Sequence, residues 1–226
     1  MLSELFGRTL VIAPHADDEV LGAGGTVARL ASEGSDVRIA IVTEGKPPHF
    51  PSEGVARVKE EARRAHEILG AAKTYWMGFP AAGLAETVVA DLNASLLELV
   101  AESAPQTLLI PFVGDIHVDH QIVFTASLVA ARPHQTQFPK LILAYETLSE
   151  TNWNAAYVTP NFAPNVFVDI EDHLETKLKA MAAFESQIRP VPHERAIETL
   201  KALATLRGAT VFRRAAEAFV LVRQVL

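Results

Sequence analysis

Short apolar runs alternate with longer amphipathic ones along most of the chain, a pattern that predicts strands followed by helices. Thr9–Ala13 reads as a buried strand, Val20–Ala31 as a helix closed by Gly34, and Val37–Val42 as a β-branched strand. Val55–Leu69 follows as a helix ended by Gly70, Thr74–Met77 as a short strand, and Leu84–Ala101 as mostly helix. Thr107–Ile110 is a strand stopped by Pro111, and Val118–Ala131 a helix stopped at Arg132-Pro133. These strand–helix pairs in succession predict right-handed βαβ units. The expected fold class is therefore α/β and Rossmann-like, a largely parallel sheet flanked by helices on both faces.

Past Pro139 the rhythm loosens into a smaller, irregular C-terminal part. Leu141–Tyr145 and Asn165–Asp169 read as strands around a polar, aromatic loop, and Glu171–Phe184 and His193–Leu206 as helices. Phe219–Val222 reads as a last strand, although its Ala-rich approach equally suits the continuation of a helix. No repeat, low-complexity tract or linker divides the chain, so residues 1–226 are expected to form one domain.

In a parallel sheet, chemistry gathers in loops after the carboxyl ends of strands. The first strand ends in Pro14-His15-Ala16-Asp17-Asp18-Glu19, and the fourth opens through Pro111 into Gly114-Asp115-Ile116-His117-Val118-Asp119-His120. Residues three apart at a strand-to-helix turn can face one point, which pairs His15 with Asp18 and His117 with His120. Two histidines and a carboxylate leave a tetrahedral metal one open position for water, whose pKa then falls toward about 7. Each segment alone is also what an acidic helix start or a polar surface turn looks like. Two of them, after two strands of one sheet, favour a metal site.

Composition narrows the donor set. Cysteine is absent, which excludes disulfides, thiol nucleophiles and thiolate zinc sites, so any metal is held by imidazole and carboxylate. A net charge of −7 argues against a nonspecific nucleic-acid binder. The N-terminal apolar run is far too short for a signal peptide core or a bilayer span, and the expected location is cytoplasmic. Apolar helix faces leave homo-oligomer formation open.

His15-Ala16-Asp17-Asp18-Glu19, with Gly24-Gly25 shortly after, resembles the His-Pro-Asp-Asp-Glu signature of the LmbE-like, or PIG-L-like, zinc-dependent N-deacetylases. His117-Val118-Asp119-His120 resembles their second motif, His-x-Asp-His. Looser similarity runs through Thr43-Glu44-Gly45, Glu61…Leu69-Gly70, Tyr145-Glu146, Ser186-Gln187, Arg207-Gly208 and Glu217-Ala218-Phe219. Ala16 departs from the family's proline at a position that supplies no ligand. The resemblance implies zinc, or another divalent transition metal, on His15, Asp18 and His120, with Asp17 as general base. It further implies that His117 stabilises the oxyanion and that Asp119 orients a histidine. His117 and protonated Asp17 are both candidates for protonating the leaving amine. The implied substrate is an N-acetylated amino sugar such as an N-acetylglucosamine glycoside or nucleotide conjugate.

Other residues carry two readings each. Asp115 suits either a sugar hydroxyl or a cap for the following helix. Tyr145 and Glu146, at a strand end, are candidate substrate contacts. Arg207 is a candidate for an anionic substrate group, although a lone arginine is often a surface ion pair. Trp153 is placed to stack on a pyranose, and Trp76 is assigned to the core. Gly22, Gly24 and Gly25 fit close helix packing better than a dinucleotide loop. His49, His66, His134, His173 and His193 read as surface or packing residues. The loop Gly45–Gly54 is expected to wall the site or cover it. Two other function classes share these features in part: a metal-dependent phosphoesterase, which normally needs more ligands, and a noncatalytic Rossmann-like small-molecule-binding protein, which has no need of Asp17 beside the ligands.

Overall fold

The computed structural model describes residues 1–226. Its centre is one seven-stranded sheet in the order β3-β2-β1-β4-β5-β7-β6. The strands are β1 Thr9–Ala13, β2 Val37–Glu44, β3 Lys73–Pro80, β4 Thr107–Pro111, β5 Leu141–Tyr145, β6 Val166–Asp169 and β7 Ala216–Gln224. The first five run parallel, and β7 pairs antiparallel with both β5 and β6. The irregular C-terminal part thus extends the same sheet, and the Ala-rich approach to Phe219 is strand. The chain lays β2 and β3 to one side of β1, then crosses to place β4 on the other. The gap between the β1 and β4 ends is the switch point where ligands bind in such sheets.

Alternate side chains of each strand enter two separate cores. Val11 and Ala13 of β1 and Leu109 of β4 join helices α2 (Asp18–Ser32), α3 (Ser52–Leu69), α6 (Leu174–Ala182) and α7 (Ile197–Thr210). Leu10, Ile12, Leu108 and Ile110 face α4 (Val89–Ser103) and α5 (Val118–Ala130) on the other side. A short helix α1, Leu2–Phe6, too brief to show a period, closes one end with buried Phe6. The expected helix from Leu84 breaks at Thr87-Val88 after a single 3₁₀ turn, and α4 ends at Ala104 in a left-handed conformation ahead of Pro105. His193–Ala196 likewise forms a turn before α7 begins.

The glycines of α2 serve packing. A Cβ on Gly22 would lie 2.2 Å from the Tyr145 ring, and one on Gly25 would lie 2.6 Å from Ile170. That closeness accounts for Tyr145, which is buried and donates its hydroxyl to the Ile12 carbonyl at 2.9 Å. It is a strut between β5, β1 and α2, and the expectation of a substrate contact is corrected.

A buried ion pair braces the same helix. Lys177 Nζ lies 2.5 Å from Glu217 Oε1 and donates to the Leu21 carbonyl at 2.8 Å. Glu217 accepts the N–H groups of Gly25 and Thr26 at 2.8 and 2.7 Å. Leu21 C=O and Gly25 N–H are the two ends of one regular helical bond, so the pair grips α2 one turn past Asp17 and Asp18. Lys177→Met strands a buried carboxylate and is expected to cost about 3–5 kcal/mol. The double change Lys177→Met with Glu217→Leu is expected to cost less than the sum of the two single changes, because neither charge is then left buried without its partner. Denaturant unfolding of all four proteins measures this, and strict additivity would refute the coupling.

Candidate metal centre and active-site cleft

The loop after β1 is held to β2 by Thr43, whose N–H and hydroxyl both donate to the Pro14 carbonyl, at 3.0 and 2.7 Å. It then turns into α2 through Asp17, a non-glycine residue at φ 124°. The Asp17 N–H donates to Glu19 Oε2 at 3.1 Å, and the other Glu19 oxygen accepts from His66 Nε2 at 2.9 Å. His66 Nδ1 faces Thr74 Oγ1 at 2.7 Å, so this histidine is a packing residue that backs the turn from α3 and β3. The loop after β4 enters α5 at His117, whose Nδ1 accepts the Asp119 N–H at 3.1 Å.

The two loops meet on Asp18. His15 Nδ1 lies 3.3 Å and His120 Nε2 3.2 Å from Asp18 Oδ2. Each ring is oriented by its other nitrogen: His15 Nε2 bonds Asp119 at 3.1 Å and His120 Nδ1 bonds Asp115 at 2.8 Å. His120 Nε2 is a buried nitrogen with no hydrogen-bond partner, since its approach to Asp18 lacks hydrogen-bonding geometry. Nitrogen and oxygen ligands each about 2.0–2.1 Å from a tetrahedral ion lie about 3.3 Å apart, which both separations from Asp18 match, and all three donor atoms lie within 4.8 Å of one another. A second grouping, His15, His117 and Asp119, already has its carboxylate and two ring nitrogens hydrogen-bonded.

Burial opposes charge on the two rings, yet the neighbouring carboxylates prevail. Asp119 and Asp18 lift His15 to a pKa of about 9, and Asp18 with Asp115 lifts His120 to about 10. Burial likewise works against ionisation of Asp18, but His120 and His15 hold its carboxyl well below the usual carboxylate range. Asp17 behaves differently: burial, helped by Asp18 and Glu19 and opposed by Arg195, pushes it up to about 7. His117 is lowered by burial and by His15.

Asp119 Oδ2 lies 3.1 Å from His15 Nε2, and backbone N–H groups of Ala82 and Leu84 fix its carboxylate at 2.7 and 3.2 Å. Asp115 has neither of its expected tasks. It is fully buried, with one oxygen on His120 and the other taken by Thr151 Oγ1 at 2.6 Å, while His117 caps α5. Glu146 and Arg207 are also corrected as substrate contacts. They form a bidentate pair at 2.7 and 2.6 Å beside Lys177 and Glu217, behind α2 and away from the cleft. The tryptophans depart from expectation: Trp76 lines the cleft, and exposed Trp153 sits outside it, edge-on to His193. Gly45, Phe50, Pro51 and Gly54 of the expected wall do line the cleft.

Arg195 was not anticipated. Its Nη1 donates to Asp17 Oδ2 at 2.8 Å and to Gln187 Oε1 at 3.2 Å, and its Nε donates to Ser149 at 3.0 Å. It lies in a turn 178 residues from Asp17, and no local pattern marks it. Glu150, raised in pKa by burial, also faces the cleft.

A family model described as PIG-L, GlcNAc-PI de-N-acetylase, matches residues 10–131. The chain belongs to the PIG-L family. Uncharacterized deacetylase YaiS of Escherichia coli is 32% identical over 183 residues, which span 78% of this chain and 90% of that protein. Diacetylchitobiose deacetylase of Thermococcus kodakarensis is 30% identical over 195 residues, 80% of this chain and 70% of that protein. Among solved structures, the conserved protein TT1542 from Thermus thermophilus superposes with a TM-score of 0.77 at 26% identity, covering 97% of this chain and 96% of that one. The PIG-L match covers both loops that carry His15, Asp18 and His120. No helix is long and apolar enough to cross a membrane.

Proton competition at the ligands sets a pH signature. The nitrogens of His15 and His120 that face Asp18 carry protons below about pH 9 to 10, and a divalent ion bound there would have to displace both. At pH 7 binding is expected to release about two protons per ion, and affinity to rise roughly a hundredfold per pH unit, as followed by titration in weak buffer. With a chelator present the sign reverses. The raised histidine pKa values stabilise the fold fully below about pH 6.5, and that contribution fades as pH climbs through 9 to 10.

Proposed function

We propose that residues 1–226 act as one zinc-dependent N-deacetylase domain that removes the acetyl group from an N-acetylated amino sugar. The observation that carries this is the convergence of His15 Nδ1 and His120 Nε2 on Asp18 Oδ2, beside an Asp17 that burial keeps near neutral pKa. Deacetylases of known sugar substrates within the family, such as diacetylchitobiose deacetylase, supply the substrate class. His15, Asp18 and His120 would hold the ion. Zinc bound there supplies Lewis-acid polarisation of the amide carbonyl and a lowered pKa for water.

The remaining work falls to the chain's own groups. Asp17 accepts a proton from the attacking water as its oxygen bonds to the carbonyl carbon. Arg195, 2.8 Å from Asp17 Oδ2, fixes that carboxylate and leaves the other oxygen for the water. A backbone N–H can only donate, so the Asp119 N–H on His117 Nδ1 assigns the neutral His117 proton to Nε2. The lowered pKa of His117 agrees, and the ring serves as a neutral donor to the developing oxyanion. A neutral imidazole is a poor acid, which favours Asp17, now protonated, as the source of the proton on the departing nitrogen. The C–N bond then breaks to release acetate and a free amine. Nothing in the second grouping leaves a full ligand set for another ion, so the geometry offers no support for a two-metal phosphoesterase.

Asp17→Asn is expected to retain about one equivalent of zinc while acetate release falls by about a hundredfold or more. Metal analysis and an amine-detection assay on the same sample read both outcomes. Zinc loss in that variant, or full turnover by a metal-free His120→Ala protein, would sink the proposal.

A further inference from the structure

We infer that Thr151 is a positioning residue for the centre: its hydroxyl orients Asp115, and Asp115 in turn aims the His120 ring at Asp18. The inference rests on the proposal that His15, Asp18 and His120 hold a metal, and it adds to them a third loop, the one that leaves β5.

Strand β5 runs beside β4 with Tyr145 in register with Pro111, so the loops that follow leave the sheet side by side. They are stitched together along their length. The Ile116 N–H donates to the Glu150 carbonyl at 3.1 Å, and the Asn154 side-chain amide donates to the Gly114 carbonyl. The β5 loop is itself wound into a turn, in which the N–H groups of Glu150 and Thr151 both donate to the Thr147 carbonyl, at 3.1 and 2.9 Å. That turn brings the Thr151 hydroxyl onto the fully buried Asp115.

The direction of each bond follows from which atom owns a proton. The Thr147 N–H can only donate, and it reaches Thr151 Oγ1 at 2.8 Å. The hydroxyl is therefore an acceptor on that side, and its single proton goes to Asp115 Oδ1 at 2.6 Å. Asp115 Oδ2 faces His120 Nδ1 at 2.8 Å. Each carboxylate oxygen has that one partner, so the plane of Asp115 is fixed from the Thr151 side and transmitted to the ring. A carboxylate that accepts at both oxygens takes the Nδ1 proton. It leaves His120 Nε2, which has no hydrogen-bond partner, as the atom turned to Asp18 Oδ2 at 3.2 Å. The other hydroxyl of the turn, on Ser149, serves a different side chain: it accepts from Arg195 Nε at 3.0 Å.

The experiment measures zinc affinity, by competition with a chromophoric chelator, for wild type, Thr151→Val, Thr151→Ser and Ser149→Ala. Thr151→Val is expected to bind zinc about tenfold or more weakly. Thr151→Ser keeps the hydroxyl and is expected to stay near wild type. Ser149→Ala disturbs the same turn without touching Asp115 and is also expected to stay near wild type. Unchanged affinity in Thr151→Val, or an equal loss in Ser149→Ala, overturns the inference. In an Asp115→Asn background, Thr151→Val is expected to add little further loss, and full additivity shows that Thr151 does not act through Asp115. Thr151→Ala, which fits wherever threonine fits, carries the same expectations where the valine variant does not fold. Nuclear magnetic resonance of the metal-free protein separates the positioning role from the metal. The His120 Nδ1 proton, assigned by its loss in His120→Gln, is expected to exchange slowly in wild type and Thr151→Ser and fast in Thr151→Val. Wild type that binds no zinc refutes the metal assignment by itself. The ring proton then decides: loss of its protection in Thr151→Val supports the positioning role, and survival overturns it.

Discussion

The pairing of β1 with β4 is the contact on which the centre depends. Thr9 is in register with Thr107 and Val11 with Leu109, which brings the two strand ends to the same height about 100 residues apart in the chain. The loops that leave those ends then brace each other. Asp119, from the second loop, holds the His15 ring of the first, and Asp18, from the first, faces the His120 ring of the second. The first loop brings His15 and Asp18 together, and only the second supplies His120 and the Asp119 that holds the His15 ring. The complete centre is therefore a property of the assembled sheet, and a shift of one residue in β1–β4 register, about 3.3 Å, would part His120 from His15 and Asp18.

Inside that frame, buried carboxylates divide into those that fix direction and those that keep chemical freedom. Asp115 and Asp119 each spend their oxygens on a ring nitrogen and on hydroxyl or backbone donors, so they set tautomers. Glu19 does the same one layer back, joining the Asp17 backbone to His66. Asp17 keeps an oxygen without a protein partner and has a pKa lifted to about 7 by burial. The proton carrier proposed for Asp17 needs that freedom, and its neighbours need the opposite.

Much of this was legible in the chain because it is local. The β1 to α5 elements follow apolar periodicity, and His15, Asp17, Asp18, His117, Asp119 and His120 all fall in two short runs at strand ends. What was not legible depends on distant neighbours. Tyr145 reads as a strand-end tyrosine until Gly22 is packed against it, and Glu146 with Arg207 until the two meet as a pair. Trp76 has the local pattern of a core residue because only topology makes β3 an edge. Arg195 reaches Asp17 from a turn between two proline-marked segments and α7, where a lone arginine carries no signal. Side chains that meet across the fold escape a reading built on spacing.

Asp17 also carries a cost that its chemistry does not reveal. At φ 124° and ψ −26° it occupies a conformation that disfavours any side chain by roughly 1–3 kcal/mol and that glycine adopts freely. On the proposed mechanism, and for all that follows from it, folding and turnover have opposed preferences at this residue. Selection for heat resistance alone would exchange the acid for glycine and yield a sturdier protein with His15, Asp18 and His120 intact and the proposed proton carrier gone. A chain that keeps an aspartate in this turn does so against its own backbone, so the identity of residue 17 separates working copies from well-folded silent ones.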